Sequence, residues 1–488
     1  LVLESDLLSR FPSEVPVAAS AVAQRVADSG RILVVLDDDP TGTQSVANLP
    51  VLTRWEVEDF SWAYAHLIAG QRPSAVYVLT NTRSLDPAEA AERNRQIVVN
   101  ALAAAAASGI ALGFVSRSDS TLRGHYPLEP DTIAETLREQ GAGSVDGVVI
   151  VPAFPDAGRI TIGGVHYTRA DAGTLLPVGE TEFAKDATFG FSSSELASYV
   201  QEKSKGRFAA SQVIVVDLNL LRSGTPEQAA LAIADTIELA QDSCPIVADA
   251  VTENDLRLLA LGLDEAERRG KSLIYRVGPP FVRARIGQEI HAELNAAEIF
   301  PESGAADSMA TGGLIVVGSH VGVTTRQLHA LTEQHRSART IEINVAELLG
   351  TNGGSHLDAV VAQVGAALAV GDVIVHTSRL LVKTDDAAAS LKIARTVSAA
   401  VVSVVNRTLK ATPPRFVIAK GGITSSDVAA HGLEIRHAIV RGPMLPGIVS
   451  LWEPVGGPAA GIPYIVFAGN VGDDQSLADV TRKLSSTF

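Results

Sequence analysis

The chain is short of the residues that mark several functional classes. One cysteine, Cys244, stands among 488 residues. That excludes an intrachain disulfide and a cysteine-built metal site, and it fits a reducing cytoplasm, where we expect the protein to work. Basic charge is scarce too: 40 Lys and Arg against 55 Asp and Glu give a formal net charge of -15. Neither nucleic acid nor an anionic membrane surface is then an expected partner, and a small anion would need a locally basic pocket. No run reaches the roughly 20 strongly apolar residues that cross a bilayer. The most apolar stretch, ALAAAAASGIALGFV, is mostly alanine and is split by Ser108 and Gly109. It reads as the end of a helix and the start of a strand. The opening LVLESDLLSRF carries Glu4 and Asp6 where a secretory leader carries basic residues, so no targeting signal is read there.

What is present is the composition of a globular protein, 46% hydrophobic and 19% charged. At roughly 150 residues per domain the length suggests two or three domains, and two is the simpler expectation. The first half repeats one grammar: a short β-branched apolar run, a polar loop, then a helical pattern. ILVVL leads into Asp37, AVYVLT into NTRS, IALGFVS into RSDSTLRG, and GVVIVPAF into PDAGR. Continuous apolar runs separated by helices are the pattern of parallel strands buried on both faces, so the class is α/β. One helix is framed by its ends, with Asp86 as N-cap, Pro87 at the first position and Gly109 as terminator. VIVVDL, IVADA and SLIYRVG add strands, and residues 300–313 (FPESGAADSMATGG) read as a linker. The grammar then restarts with GLIVVGSH, TIEIN, DVIVHT, RFVIAKGG, HAIVRG and YIVFAGN, with a long helix from Asp386. We therefore expect two Rossmann-like domains, 1–299 and 314–488, each a largely parallel sheet flanked by helices. No internal sequence repeat links the halves.

Ligands of open parallel sheets bind beyond the carboxyl ends of the strands. In the first half those positions hold Asp37, Asp38, Asp39, Thr41 and Gly42, then Asn81 and Arg83, then Arg117, Asp119, Ser120 and Arg123. Guanidiniums pair with carboxylates, and Asp and Asn bind hydroxyls, so the set suits a small polyhydroxylated acid. The second half ends its strands differently, in Gly318-Ser319-His320, Lys420-to-Ser426, Gly442-to-Gly447 and Gly469-to-Asp474. Glycines admit backbone N–H groups to a phosphate, and a helix start after GGITSS would add positive field. Other familiar readings fail. Glu265 stands where a Walker A loop needs glycine, so Gly270-Lys271-Ser272 reads as a turn; Val317 stands where a serine-hydrolase elbow needs glycine. No G-x-G-x-x-G opens a helix after a strand, and His125 reads as a structural hydrogen-bonder.

Together these loops resemble the four-carbon acid sugar kinase family. Its amino-terminal signature falls on Asp38, Asp39, Pro40, Thr41 and Gly42, its STLRG on Ser120 to Gly124, and its TR on Thr82 and Arg83. In the second half its Gly-Ser falls on Gly318 and Ser319, its Gly-Gly-x-Thr on Gly421, Gly422, Ile423 and Thr424, its Gly-Pro…Pro-Gly on Gly442, Pro443, Pro446 and Gly447, and its Gly-Asn-x-Gly on Gly469, Asn470 and Gly472. The resemblance implies a sugar-acid domain followed by an ATP domain, with phosphate passing across the cleft between them to a hydroxyl, the terminal one, of threonate, erythronate or an oxo-tetronate. ATP and Mg²⁺ are the implied cofactors, and a homodimer is compatible with the reading. The departures lie in the sugar-acid half. Ser45 replaces a common acid, Arg117 a lysine and His125 an asparagine, and Asp37 is an additional aspartate. They leave open a branched oxo-sugar acid such as 3-oxo-isoapionate.

On this reading Asp38 or Asp39 accepts the hydroxyl proton while the other orients hydroxyls or metal-bound water. Arg117 and Arg123 would clamp the substrate carboxylate, with Arg83 and Asn81 on hydroxyls. Two rivals belong to other classes. Asp37-x-Asp39-x-Thr41 could open a haloacid-dehalogenase-type phosphatase, although Leu477 stands where that class needs a later aspartate. The other rival is a sugar-acid sensor without turnover.

Overall fold

The computed structural model describes residues 2–300, 309–318, 320–378 and 387–488. The chain forms an α/β protein of two compact units, Leu1–Ile290 and His291–Phe488. The second unit thus begins before the expected linker. Leu294 and Ile299 explain this, since both are buried in a core with Ile315, Phe416 and Leu451. Part of the expected linker, residues 301–308, lies outside the described residues. Its end is tied to the second unit through Ala310 N–H on the Pro413 carbonyl and Gly312 N–H on that of Leu368.

In the first unit the strands are β1 (Val2–Leu3), β2 (Ile32–Asp37), β3 (Leu49–Leu52), β4 (Ala75–Leu79), β5 (Leu112–Arg117), β6 (Gly147–Val151), β7 (Arg159–Ile162), β8 (Val165–Arg169), β9 (Thr174–Pro177), β10 (Ile214–Val216), β11 (Cys244–Ala248) and β12 (Leu273–Val277). A parallel sheet runs β10-β11-β6-β12-β5-β2-β4-β3. β2 is buried along its whole length, which is why its sequence is a continuous apolar run. The helix Pro87–Ser108 starts and stops as its ends dictate: the Asp86 carboxylate accepts the Glu89 N–H, and Gly109 takes a left-handed φ of 66°.

The order fixes where a ligand can sit. The chain lays β4 beside β2, with β3 beyond it, then crosses to the other side of β2 for β5. Where that direction reverses, the connections diverge and leave a crevice at the carboxyl ends of β2 and β5. The register sets Asp37 directly against Arg117 there. A small antiparallel sheet, β1-β9-β8-β7, is unforeseen in the sequence. Its strands are short, partly polar and turned by Gly163 and Gly164, so they lack the run that announces a buried strand.

In the second unit β13 (Leu314–Val317), β14 (Arg339–Ile343), β15 (Val373–Thr377), β16 (Val417–Lys420), β17 (His437–Leu445), β18 (Val449–Val455) and β19 (Tyr464–Phe467) form a mixed sheet in the order β17-β18-β19-β16-β13-β15-β14. β17 and β18 are antiparallel to their neighbours and the rest are parallel. The first strand, β13, again lies between its third, β15, and its fourth, β16, so the same reversal recurs. One expectation is corrected: Gly442 and Pro443 do not follow a strand but lie inside β17, where register irregularities let the strand run on to Leu445 and pair with the unforeseen β18. The long helix is described from Ala387 to Ala411, and Asp386 lies outside the described residues. No helix of the described residues is long and apolar enough to cross a membrane.

Candidate functional site

The crevice of the first unit is filled by an ion network. Asp37 is 1% exposed, and its Oδ1 accepts Arg117 Nε at 2.7 Å and is also paired with Nη2. Burial pushes its carboxyl up to about 7 against the pull of Arg117, with Asp38 and Asp39 adding to the rise. Gly42 folds over it so closely that a Cβ there would sit 2.1 Å from Asp37 Oδ2. Asp38, equally buried, accepts Arg83 Nη2 at 2.6 Å, Arg83 Nε at 3.3 Å and the Ser118 hydroxyl at 2.9 Å. Asp39 differs in keeping 26% of its side chain exposed. Its Oδ1 takes the Thr41 N–H and hydroxyl at 2.9 and 2.5 Å, and its Oδ2 takes Arg83 Nη1 at 3.3 Å. Burial would raise its pKa, but Arg83, Arg117 and the Thr41 bonds outweigh that and hold it below the usual carboxylate range. The three aspartates tolerate one another because two guanidiniums are interleaved with them.

The loop after β5 closes over the network. Asp119 binds Arg123 Nε at 2.7 Å and the Thr121 hydroxyl. Burial works against its ionisation, but Arg83 and Arg123 prevail and bring it down to about 2. Gly124 has a φ of +129°, and a Cβ there would meet Ser118 Oγ at 2.6 Å, Arg276 Nη2 at 2.9 Å and Asp38 Oδ2 at 3.1 Å, so only glycine fits. His125 is the structural bonder expected of it, with Nε2 2.9 and 3.0 Å from the carbonyls of Thr82 and Leu85. Asn81 takes a left-handed φ of 53° at the turn that delivers Arg83. Ser120 contributes its carbonyl to His166 Nε2 at 2.7 Å.

Three members of this network escaped sequence reasoning. Arg276, on β12, donates to the Ser116 hydroxyl at 2.8 Å and lies 3.5 Å from Glu129 Oε2. Burial pushes Glu129 up to about 7, partly offset by Arg276, and its Oε1 accepts the Thr82 hydroxyl at 2.8 Å. Ser118 bonds Asp38 as above. The available signal was the single charge inside the apolar run LIYRV; nothing marked Glu129. A cavity of about 20 Å³, room for one water, is lined by Ser118, Asp119, Arg123, Tyr126, Tyr199 and Arg276.

The second unit offers its own crevice at β13 and β16. Gly318 approaches Thr424 so closely that a Cβ would lie 2.0 Å from Thr424 Oγ1. Gly421 takes a φ of +127°, and the helix Gly422–Asp427 starts beside it. From the next strand, β19, the Gly469 carbonyl accepts the Thr324 hydroxyl at 2.7 Å. Gly472 turns at φ +81° and Asn470 is exposed. A cavity of about 350 Å³ opens there, lined by Gly318, His320, Thr377, Val401, Thr424 and Asp427 among others. A valine wall, glycine turns and that volume fit a nucleotide. Ser319 and the side chain of Ile423 lie outside the described residues, and Gly442 and Pro443 lie beyond β18 from this crevice.

Comparison with known families agrees with this division of chemistry. Residues 33–285 match a sugar-binding N-terminal domain, and residues 314–477 match a nucleotide-binding C-terminal domain. The chain belongs to the four-carbon acid sugar kinase family. A curated relative, the D-erythronate kinase of Heliobacterium modesticaldum, is 27% identical over 346 residues, 67% of this chain and 68% of that one. Two solved structures share the fold. A Salmonella typhimurium LT2 protein, provisionally named a tRNA synthase, has a TM-score of 0.65 at 18% identity over 93% of this chain and 100% of its own. A Haemophilus influenzae protein has a TM-score of 0.61 at 17% identity over 92% of this chain and 99% of its own. Asp37 and Arg117, both read from the sequence as departures from the usual residues, are each other's partners.

Proposed function

We propose that the protein is an ATP-dependent kinase that phosphorylates a hydroxyl, the terminal one, of a four-carbon sugar acid of the threonate, erythronate or 3-oxo-tetronate type. The observation that carries this reading is the Asp38–Asp39–Arg83 network at the crevice of the sugar-binding domain. The cavity at the corresponding crevice of the nucleotide-binding domain, walled by Val345, Val397, Val401, Val402 and Val428 beside Gly318 and Thr424, supports it, and the D-erythronate kinase relative supports the substrate class. The reading takes both domains as Rossmann-like and requires the phosphate donor held by one to reach the acceptor held by the other, in a shared cleft.

Phosphoryl transfer asks for positioning and charge stabilisation more than covalent work. Asp39 is the carboxylate placed to receive the acceptor hydroxyl's proton, because it is ionised and partly open. Asp38, closed in by Arg83 and Ser118, is a positioning residue. Arg117 is 3% exposed and engaged by Asp37, Asp38 and the Ser118 carbonyl, so its role here is buried counter-charge. Gly318, Gly421, Gly422, Thr424, Gly469 and Gly472 would hold ATP, which supplies the phosphoryl group when bound. Mg²⁺ draws most of its ligands from phosphates and water, and among the described residues no group of three or more His, Cys, Asp or Glu could hold a metal. The phosphatase reading fares worse, since both oxygens of its would-be nucleophile, Asp37, lie beneath Arg117 and Gly42.

The test is ADP release with Mg-ATP over a panel of four- and five-carbon sugar acids, 3-oxo-isoapionate included. ADP formed only with a sugar acid supports the kinase. Phosphate released from sugar phosphates without ATP would replace it with the phosphatase, and affinity without turnover with the sensor.

A further inference from the structure

Arg83 and Arg117 are committed to carboxylates, and Arg276 to Glu129 and Ser116. Arg159 is not committed to anything. It opens β7 in the loop after β6, at the carboxyl edge of the same sheet, where its N–H and carbonyl both pair with Phe154. Its Nε is buried without a hydrogen-bond partner, and among the described residues its guanidinium forms no ion pair. What it has instead is a shared aromatic ring. Arg159 lies 5.9 Å and Arg123 5.0 Å from the centroid of Phe183. Arg123 spends its Nε on Asp119, and the nearest carboxylate to its Nη1 beyond that is Asp186 at 3.9 Å. Burial lowers the pKa of Arg159, Asp119 raises it and the charge of Arg123 lowers it again.

Two cations gathered on one ring, Arg159 with no ion pair of its own and only the more distant charge of Asp119 to offset it, repel each other until an anion arrives. A planar fork suits a carboxylate better than any other small anion of this substrate class. We propose that Arg159 and Arg123, over the Phe183 ring, form the site that takes the carboxylate of the sugar acid. The identity of the anion rests on the kinase reading; the clamp itself rests on the geometry. The role expected of Arg117 thus passes to Arg159, which no motif singled out.

The test compares wild type with Arg159→Met and Arg159→Lys, using calorimetric titration with D-erythronate, D-threonate and the uncharged erythritol, alongside steady-state kinetics. Acid binding should weaken about a hundredfold in Arg159→Met, the loss of charged hydrogen bonds converted at one decade per 1.4 kcal/mol. Arg159→Lys should recover part of it. The KM for ATP and the response to erythritol should not move, and a unit with its urea midpoint intact shows that the variant folds. An Arg159→Met protein that binds the acid as tightly as wild type overturns the clamp. If wild type neither binds nor turns over any four-carbon acid, it is the substrate reading that fails. The clamp is then judged on citrate and inorganic phosphate: affinity lost in Arg159→Met supports it, and affinity unchanged, or absent from wild type, overturns it.

Discussion

The two units reach the same topological solution and furnish it with opposite chemistry. In each, the first sheet strand lies between the third and the fourth, so a crevice opens at its carboxyl end. In the first unit that crevice is packed with carboxyl and guanidinium side chains, Asp37, Asp38 and Asp39 against Arg83 and Arg117. In the second it is lined by Gly318, Gly421 and Thr424, where backbone comes close and side chains withdraw. A polyhydroxylated acid needs side-chain partners of both signs, whereas a phosphate chain is best met by backbone N–H groups. The fold supplies the location, and the residues after each strand supply the selectivity.

The sharpest way to break this contrast is to strike one unit and read the other. Asp39→Asn should lower turnover by about 10²- to 10⁴-fold, as loss of a positioned proton acceptor does, while ATP affinity measured by titration stays as in wild type. A parallel fall in ATP affinity would mean the two chemistries are not separable. Next in size is the buried pair. Asp37→Ala leaves Arg117 enclosed without its partner and should cost about 3–5 kcal/mol in urea denaturation, whereas Asp37→Ala with Arg117→Met should cost much less. Additive losses in that cycle would show that the pair is not coupled.

The units should also answer pH in opposite directions. The Glu129 carboxyl, raised by burial to about 7, lends stability that is full below about pH 4.5 and lost as pH rises through 7. Glu129→Gln should flatten that decline, worth about 3 kcal/mol at most. Lys420 is fully buried, donates to the Ala468 carbonyl at 2.6 Å and is brought down to about 7 by burial. Its contribution is present above its unfolded value and lost as pH falls through 7, so Lys420→Met should flatten the alkaline side. Denaturant midpoints across pH 5 to 10 check both signs. The smallest expected effect is Gly318→Ala, whose methyl would push on Thr424 and weaken ATP roughly tenfold, with sugar-acid binding unchanged.

What could be read from the sequence follows from range. Parallel strands buried on both faces announce themselves locally, so β2, β4, β5, β6 and their counterparts in the second unit were legible, as was the helix that begins after Asp86. β18 and the small antiparallel sheet were not, because short strands with one exposed face carry too little apolar signal. Within the site, Asp38, Asp39 and Arg83 were found through loop position, and the structure brings them within hydrogen-bond reach. Arg117 was found too, but its pairing was not, because its partner Asp37 is 80 residues away in sequence and their adjacency is a matter of sheet register. Arg159 was missed for a related reason: being unpaired is a property of surroundings, and no spacing rule reports it.

The register of Asp37 against Arg117 also bears on descent. Both residues were read from the sequence as departures from the usual pattern, and an aspartate buried at position 37 needs a cation opposite it in the register, so the two positions are expected to vary together. On that expectation they behave as one character written at two distant places. Any relative that carries a third aspartate ahead of the usual pair should carry arginine at the second place as well, and a census of such sequences can score that rule without a single protein being purified.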